Sequence, residues 1–243
     1  MNDRLVALLE TIAATGPSAT PRDIAQRSQL PQATVYRLLA QLQELSLIEK
    51  SEAGFQIGHR LVRIAFGAIS ERDVRGAIEP ELQALADATG ETSFAARLTA
   101  NGIELFVSRL ADDGRRGGVV PPLGLRPVVC SAAKAILAHL GDSDRRKLIE
   151  TTNARFPDFI PSDEERLEGD LSMIAQGGLA TCFGEENPDI GSFAKPVGIR
   201  GRAGLFSVGI VGPRTRIEEE WMSMRDSVES AASCIGRKLD NVA

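Results

Sequence analysis

Ser131-Ala132-Ala133-Lys134 places a hydroxyl and an amine at Ser-x-x-Lys spacing, one helical turn apart, where an acyl enzyme would use the lysine to activate the serine. The pattern fixes only two positions. The Lys-Thr-Gly and Ser-Asp-Asn that accompany it in β-lactamase-type enzymes do not occur in the chain. Metal chemistry has less to work with. His59 and His139 fall in separate expected domains, and Cys130, Cys182 and Cys234 are about fifty residues apart, which matches no zinc spacing. No Gly-x-x-x-x-Gly-Lys is present, and Gly198-x-x-Gly201-x-x-Gly204 spans a strand end and a turn rather than opening a helix. No cofactor and no enzymatic activity are expected.

A different kind of candidate lies in residues 30–50, LPQATVYRLLAQLQELSLIEK. Val35, Leu38, Leu39, Leu42 and Leu45 recur at helical spacing and face a core, leaving Ala33, Tyr36, Arg37, Ala40 and Gln41 outward. Pro31 suits the start of this helix. Upstream, TPRDIAQRSQ reads as a short helix with Thr20 as N-cap, Pro21 at N1 and Asp23 in its first turn. Two short helices joined by a tight turn, the second presenting small and hydrogen-bonding residues, can enter a major groove. On periodicity alone, a helical hairpin that only packs is equally open. A strand at 46–50, a Gly-containing turn and a strand at 55–57 then add a wing.

With that wing in place, residues 5–65 resemble the N-terminal domain of the IclR family of bacterial transcriptional regulators, through LLETIAATG, DIAQRSQLPQATVYRLLAQLQELSLIEK and GFQIGHRLVRIA. Leu30-Pro31, Thr34 and Arg37 match the family's recognition helix, and Gly54-Phe55-Gln56-Ile57-Gly58 its wing. The resemblance implies a winged helix-turn-helix over residues 1–60, a linker and dimerisation helix over 61–75, and a GAF-like effector-binding domain over 76–243. Its implied DNA contacts are Arg22, Gln32, Ala33, Thr34, Tyr36, Arg37 and Lys50. Double-stranded operator DNA, a small-molecule effector, and a homodimer that pairs again into a dimer of dimers are the implied partners.

Composition limits how DNA could be held. The chain has 243 residues, 43% of them hydrophobic, and a formal net charge of −5, which argues against bulk nonspecific binding of nucleic acid by the whole chain. Over residues 1–60, the basic Arg4, Arg22, Arg27, Arg37, Lys50 and Arg60 are matched by the acidic Asp3, Glu10, Asp23, Glu44, Glu49 and Glu52. Binding must therefore rest on geometry and on dimers. The first fifteen residues read as an amphipathic helix rather than a targeting segment. With no apolar run near twenty residues and three scattered cysteines, a reduced cytoplasmic protein without membrane association is expected.

Leu61, Ile64, Ala65, Ala68 and Ile69 form an apolar stripe, so 61–75 reads as one helix in need of a partner. Beyond it the pattern becomes mixed: a helix closed by Thr89-Gly90, strands at 92–98 and 103–109 joined through Asn101-Gly102, and a charged, Gly-rich, mobile loop at 112–118. Helices follow at 132–140 and 144–151, then one capped by a Ser162/Glu165 box and running to 176. Strands at 179–183, 193–200 and 204–211 precede a closing helix at 216–240. The order predicts an α+β fold, an antiparallel sheet with helices segregated to one side.

In this half the resemblance rests on Gly90-Glu91-Thr92, Pro127 to Ala138, Gly178-Leu179-Ala180 with Glu185, and Ala194-x-Pro196-Val197. It implies an effector lying on the sheet between Ser131, Ala132 and Ala133 on one side and Cys182, Glu185 and Ser192 on the other, over Gly209 and Val211. Cys182 stands where the family commonly has an acid, Ser192 where it has Cys, and Gly209 and Val211 where it has serines. The floor is less polar for it, which fits an aromatic or otherwise apolar effector with one polar end, such as a carboxylate. That end would meet the helix start near Ser131 or the side chain of Arg97. The reading is a ligand-responsive regulator of a metabolic or catabolic operon. A Ser-x-x-Lys acyl-transfer enzyme and a protein-interaction module are its alternatives.

Overall fold

The computed structural model describes residues 2–51, 53–112, 118–161, 163–199 and 202–242, and the chain divides into two units at residues 68 and 69. In the first unit, α1 (Asn2–Thr15) buries Leu8 and Ile12 and ends at Gly16, whose φ of 75° suits a residue without Cβ. α2 (Pro21–Ser28) has the Thr20 N-cap its sequence predicts, and Asp23 completes it as a capping box: the Asp23 amide donates to Thr20 Oγ1 at 3.2 Å, and the Thr20 amide donates to the Asp23 carboxylate at 3.4 Å. The chain turns through Gln29, at φ 55°, into α3 (Gln32–Glu44), which buries Val35, Leu38, Leu39 and Leu42. Leu45 is the exception to the expected stripe. It is the C-cap, before Ser46 turns at φ 56°, and its side chain is exposed.

β1 (Ile48–Lys50) and β2 (Phe55–Ile57) pair antiparallel with Lys50 opposite Phe55. Phe55 also bridges to Ala19, and a Cβ on Gly54 would collide with the Ala19 carbonyl, so the wing seats on the α1–α2 connection only with glycine there. Glu52, in the wing turn, lies outside the described residues. The expected single helix over 61–75 is instead two. α4 (His59–Phe66) stops at Gly67, and Ser70 caps α5 (Glu71–Thr89) by accepting from the Asp73 amide at 3.1 Å. A poor helix former followed by a good N-cap outweighs the continuous apolar spacing.

The second unit is built on one sheet of β3 (Thr92–Leu98), β4 (Ile103–Arg109), β5 (Gly124–Leu125), β6 (Ala180–Phe183), β7 (Ile190–Ile199) and β8 (Arg202–Pro213). The strands lie in the order β5-β4-β3-β8-β7-β6, and every pairing is antiparallel. The expectation of helices on one side is corrected. α5 and α9 (Arg214–Val242) pack on one face, and α6 (Ser131–Leu137), backed by α8 (Glu164–Ala175), packs on the other. α7 (Asp142–Arg155) joins α6 to the segment before α8. Neighbouring residues on β3 show the two faces: Ser93 donates to the Leu82 carbonyl of α5 at 2.7 Å, while Phe94 belongs to the core cluster that contains Ala132 and Ile136 of α6.

Local anchors fix these layers. Glu91 is buried and paired with Arg216 at the start of α9. Ser207 Oγ donates to the Ala132 carbonyl at 3.0 Å, holding α6 over the sheet. The cap of α8 is Asp163, accepting from the Arg166 amide at 2.9 Å. Ser162, the expected cap, lies outside the described residues, as do 113–117 of the expected mobile loop and Gly201 of the β7–β8 turn.

Candidate DNA-reading helix and effector pocket

On α3 the buried stripe leaves Gln32, Ala33, Tyr36, Arg37, Ala40 and Gln41 exposed and Thr34 half-buried. Tyr36 is 60% exposed, an unusual degree of exposure for a tyrosine. No acidic residue stands in the first turn of α3 to neutralise the positive end of its dipole. Arg22 on α2, Arg37 on α3 and Lys50 at the end of β1 are exposed, and among the described residues none of the three forms an ion pair. The wing is braced from behind. Glu49 accepts from both the backbone N–H and Nδ1 of His59 at 2.7 Å, and Arg60 donates to the Leu45 carbonyl at 2.9 Å. Ile64 of α4 is 56% exposed and Ala65 is exposed as well, so the apolar stripe of that helix is left uncovered.

In the second unit a cavity of about 260 Å³ opens between α6 and the sheet. Its walls include Phe94, Leu105, Val119, Pro121, Phe159 and Ile190. A dry cavity of roughly 150 Å³ suffices for benzene, so this one admits a substituted ring or a fused pair. Of the expected effector residues, Ser131, Ala132, Cys182, Ser192 and Val211 line it. Ala133, Glu185 and Gly209 do not. Ala133 is buried in the hydrophobic core of the second unit, and Gly209 lies beneath Phe94, whose ring a Cβ would strike.

Sequence reasoning missed a cation in the pocket. Arg126 lines the cavity almost wholly buried, is ion-paired to Glu186, another lining residue, and donates to the Pro122 carbonyl at 3.3 Å. Arg97, the expected polar partner, is on the opposite face: it stacks over Phe106 at 4.7 Å and pairs with Glu104 at 3.0 Å. Ser131 Oγ and Ser192 Oγ lie 2.7 Å apart in the cavity wall. Burial pushes both the Cys130 and the Cys182 thiols up, so they line the cavity as neutral groups.

Glu185 faces a second cavity of about 240 Å³ with Lys134 and Asp170. Lys134 Nζ donates to Asp170 at 3.0 Å, to the Thr181 carbonyl at 3.1 Å and to Glu185 at 3.1 Å. Burial opposes its charge, but Asp170 and Glu185 override burial and raise its pKa. With all three donors engaged and the proton held more tightly than usual, Lys134 is not the free base that a Ser-x-x-Lys nucleophile at Ser131 needs.

Comparison with known proteins agrees with this layout. Residues 3–52 match the IclR helix-turn-helix domain, and residues 66–237 match the bacterial transcriptional regulator IclR C-terminal domain. The chain belongs to the IclR family. IclR proteins are DNA-binding transcriptional regulators. Among relatives, the transcriptional regulator TtgV of Pseudomonas putida is 29% identical over 207 residues, covering 81% of this chain and 75% of the relative. The repressor AllR of Escherichia coli is 26% identical over 248 residues, covering 97% and 90%. The IclR structure of Thermotoga maritima superposes with a TM-score of 0.61 at 17% identity, covering 98% of each chain. An IclR homolog of Microbacterium hydrocarbonoxydans, solved with 4-hydroxybenzoate, gives 0.58 at 21%, again covering 98% of each. At those identities the superpositions speak for the fold. Among the described residues, no helix is long and apolar enough to cross a membrane.

Proposed function

We propose that this IclR-family chain is a ligand-responsive regulator of a metabolic operon, acting in the cytoplasm as a homodimer that pairs into a dimer of dimers. The first turns of α3 enter the major groove of operator DNA. Thr34, Tyr36 and Arg37 lie nearest the base edges, with Gln32 and Ala33 beside them, while Arg22 and the wing at Lys50 contact phosphates. Two α4 helices cover each other's exposed Ile64 and Ala65, and the pair sets the spacing of two half-sites. The effector, a small organic molecule with an apolar or aromatic body and one polar end, occupies the cavity lined by Ser131, Ala132, Cys182, Ser192 and Val211. Its preference for one arrangement of protomers shifts operator affinity.

The observation that carries this reading is the set of Arg22, Arg37 and Lys50, exposed and unpaired around a helix face that is otherwise free of charge. Selection of bound fragments from a random DNA library tests it. The full chain is expected to enrich a two-fold symmetric site, and R37A to lose that enrichment while keeping its fold. Enrichment of no site would overturn the proposal.

A further inference from the structure

The charges around the cavity say what kind of effector fits it, an inference that rests on reading the cavity as the effector site. Among the described residues Arg126 is the single cation in the lining, with a side chain 9% exposed, and its charge is already met by Glu186. Cys130 and Cys182 are neutral thiols in the lining. Just behind Cys182, the Lys134 ammonium is shared by two carboxylates, Asp170 and Glu185. The described residues around the cavity therefore offer a new anion no unmatched positive charge. An anion taken from water into this wall would have to displace Glu186, leaving a carboxylate without its partner. What does remain is a hydroxyl. In the Ser131–Ser192 pair one hydroxyl donates to the other, and the second keeps its proton for a ligand oxygen.

We propose that the effector of this chain is an uncharged, mostly apolar molecule, a substituted ring or fused pair, that presents a hydroxyl or carbonyl oxygen to Ser131 and Ser192. Arg126 then acts as a compensated wall residue and not as a carboxylate receptor. The Phe94, Leu105, Phe159 and Val211 side chains supply the surface that the ring covers. Glu186 is the specificity determinant: it keeps acids out by holding the guanidinium.

Isothermal titration calorimetry on the full chain at neutral pH tests this with matched probes, benzyl alcohol against benzoate and 1-naphthol against 1-naphthoate. The neutral member of a pair should bind about tenfold tighter or more. In E186Q, which frees Arg126, the order should reverse. The R126M/E186L double variant, apolar on both sides, should keep the neutral ligand. Tighter binding of the carboxylate by the unaltered chain, or an order that E186Q leaves as it was, would overturn the proposal. So would loss of the neutral ligand from the double variant when its melting transition is unmoved. Failure of every probe with both the unaltered chain and E186Q would instead overturn the reading of the cavity as the effector site.

Discussion

The two units treat positive charge in opposite ways. Among the described residues of 2–68, Arg22, Arg37 and Lys50 stand outside any ion pair, and the close pair there is His59 with Glu49. In residues 69–242 the cations are largely matched: Arg97 with Glu104, Arg126 with Glu186, Lys134 with Asp170 and Glu185, Arg216 with Glu91, Lys238 with Glu81. A surface that must meet a polyanion keeps its cations available and takes the charge match from its ligand. An interior that encloses a small molecule completes its matches internally, and discrimination falls to shape and hydroxyls. This explains how a chain of net charge −5 can carry a DNA-reading face: the negative balance is not spread evenly over local geometry.

The sharpest break of this contrast is K134M. Removing the ammonium leaves Asp170 and Glu185 facing each other, and since both are about a quarter exposed the loss should be about 2–3 kcal/mol rather than the full value of a buried pair. Trp221, the chain's one tryptophan, lies on α9, so its fluorescence reports the second unit during denaturation. An unmoved transition would show that the matched charges contribute nothing to stability. R37A does the reverse. It should cost about 1–3 kcal/mol of operator binding, roughly ten- to a hundredfold, in anisotropy titrations, with stability changed by less than about 0.5 kcal/mol. T20A removes one side of the capping box and should lower the stability of the first unit by about 1 kcal/mol in far-ultraviolet circular dichroism, with the Trp221 transition unmoved.

The smallest expected effect is in pH. Burial opposes ionisation of Glu185, but Lys134 overrides it and holds the carboxyl below its ordinary 4.5. A carboxyl depressed in the folded state adds stability above its unfolded pKa and loses it as pH falls through the folded value. The Trp221 midpoint should therefore drop as pH falls below 4.5, with a shallower drop in K134M; equal slopes would contradict the assignment.

How far the sequence could be read followed the range of the interactions. Thr20, Pro21 and Asp23 make contacts within three residues, and α3 shows its buried face through spacing alone, so both were legible. The break at Gly67 and Ser70 was signalled by residue type but hidden by a continuous apolar stripe. Helices on both sheet faces were foreshadowed by β8, where residues 204–212 are buried without alternation, the mark of a strand covered twice. The cavity's serines came through family resemblance. Arg126 and Glu186 did not, because their pairing spans sixty residues and depends on how the loop before α6 meets the loop after β6.

The contrast between the units is tested most directly by the salt dependence of operator binding, measured as anisotropy for the unaltered chain, for R22A/R37A/K50A and for E186Q. Each phosphate contact adds about 0.9 to the slope of log K against log salt. The account predicts a clearly shallower slope for the triple variant and an unchanged slope for E186Q. Equal slopes for the triple variant and the unaltered chain would contradict it.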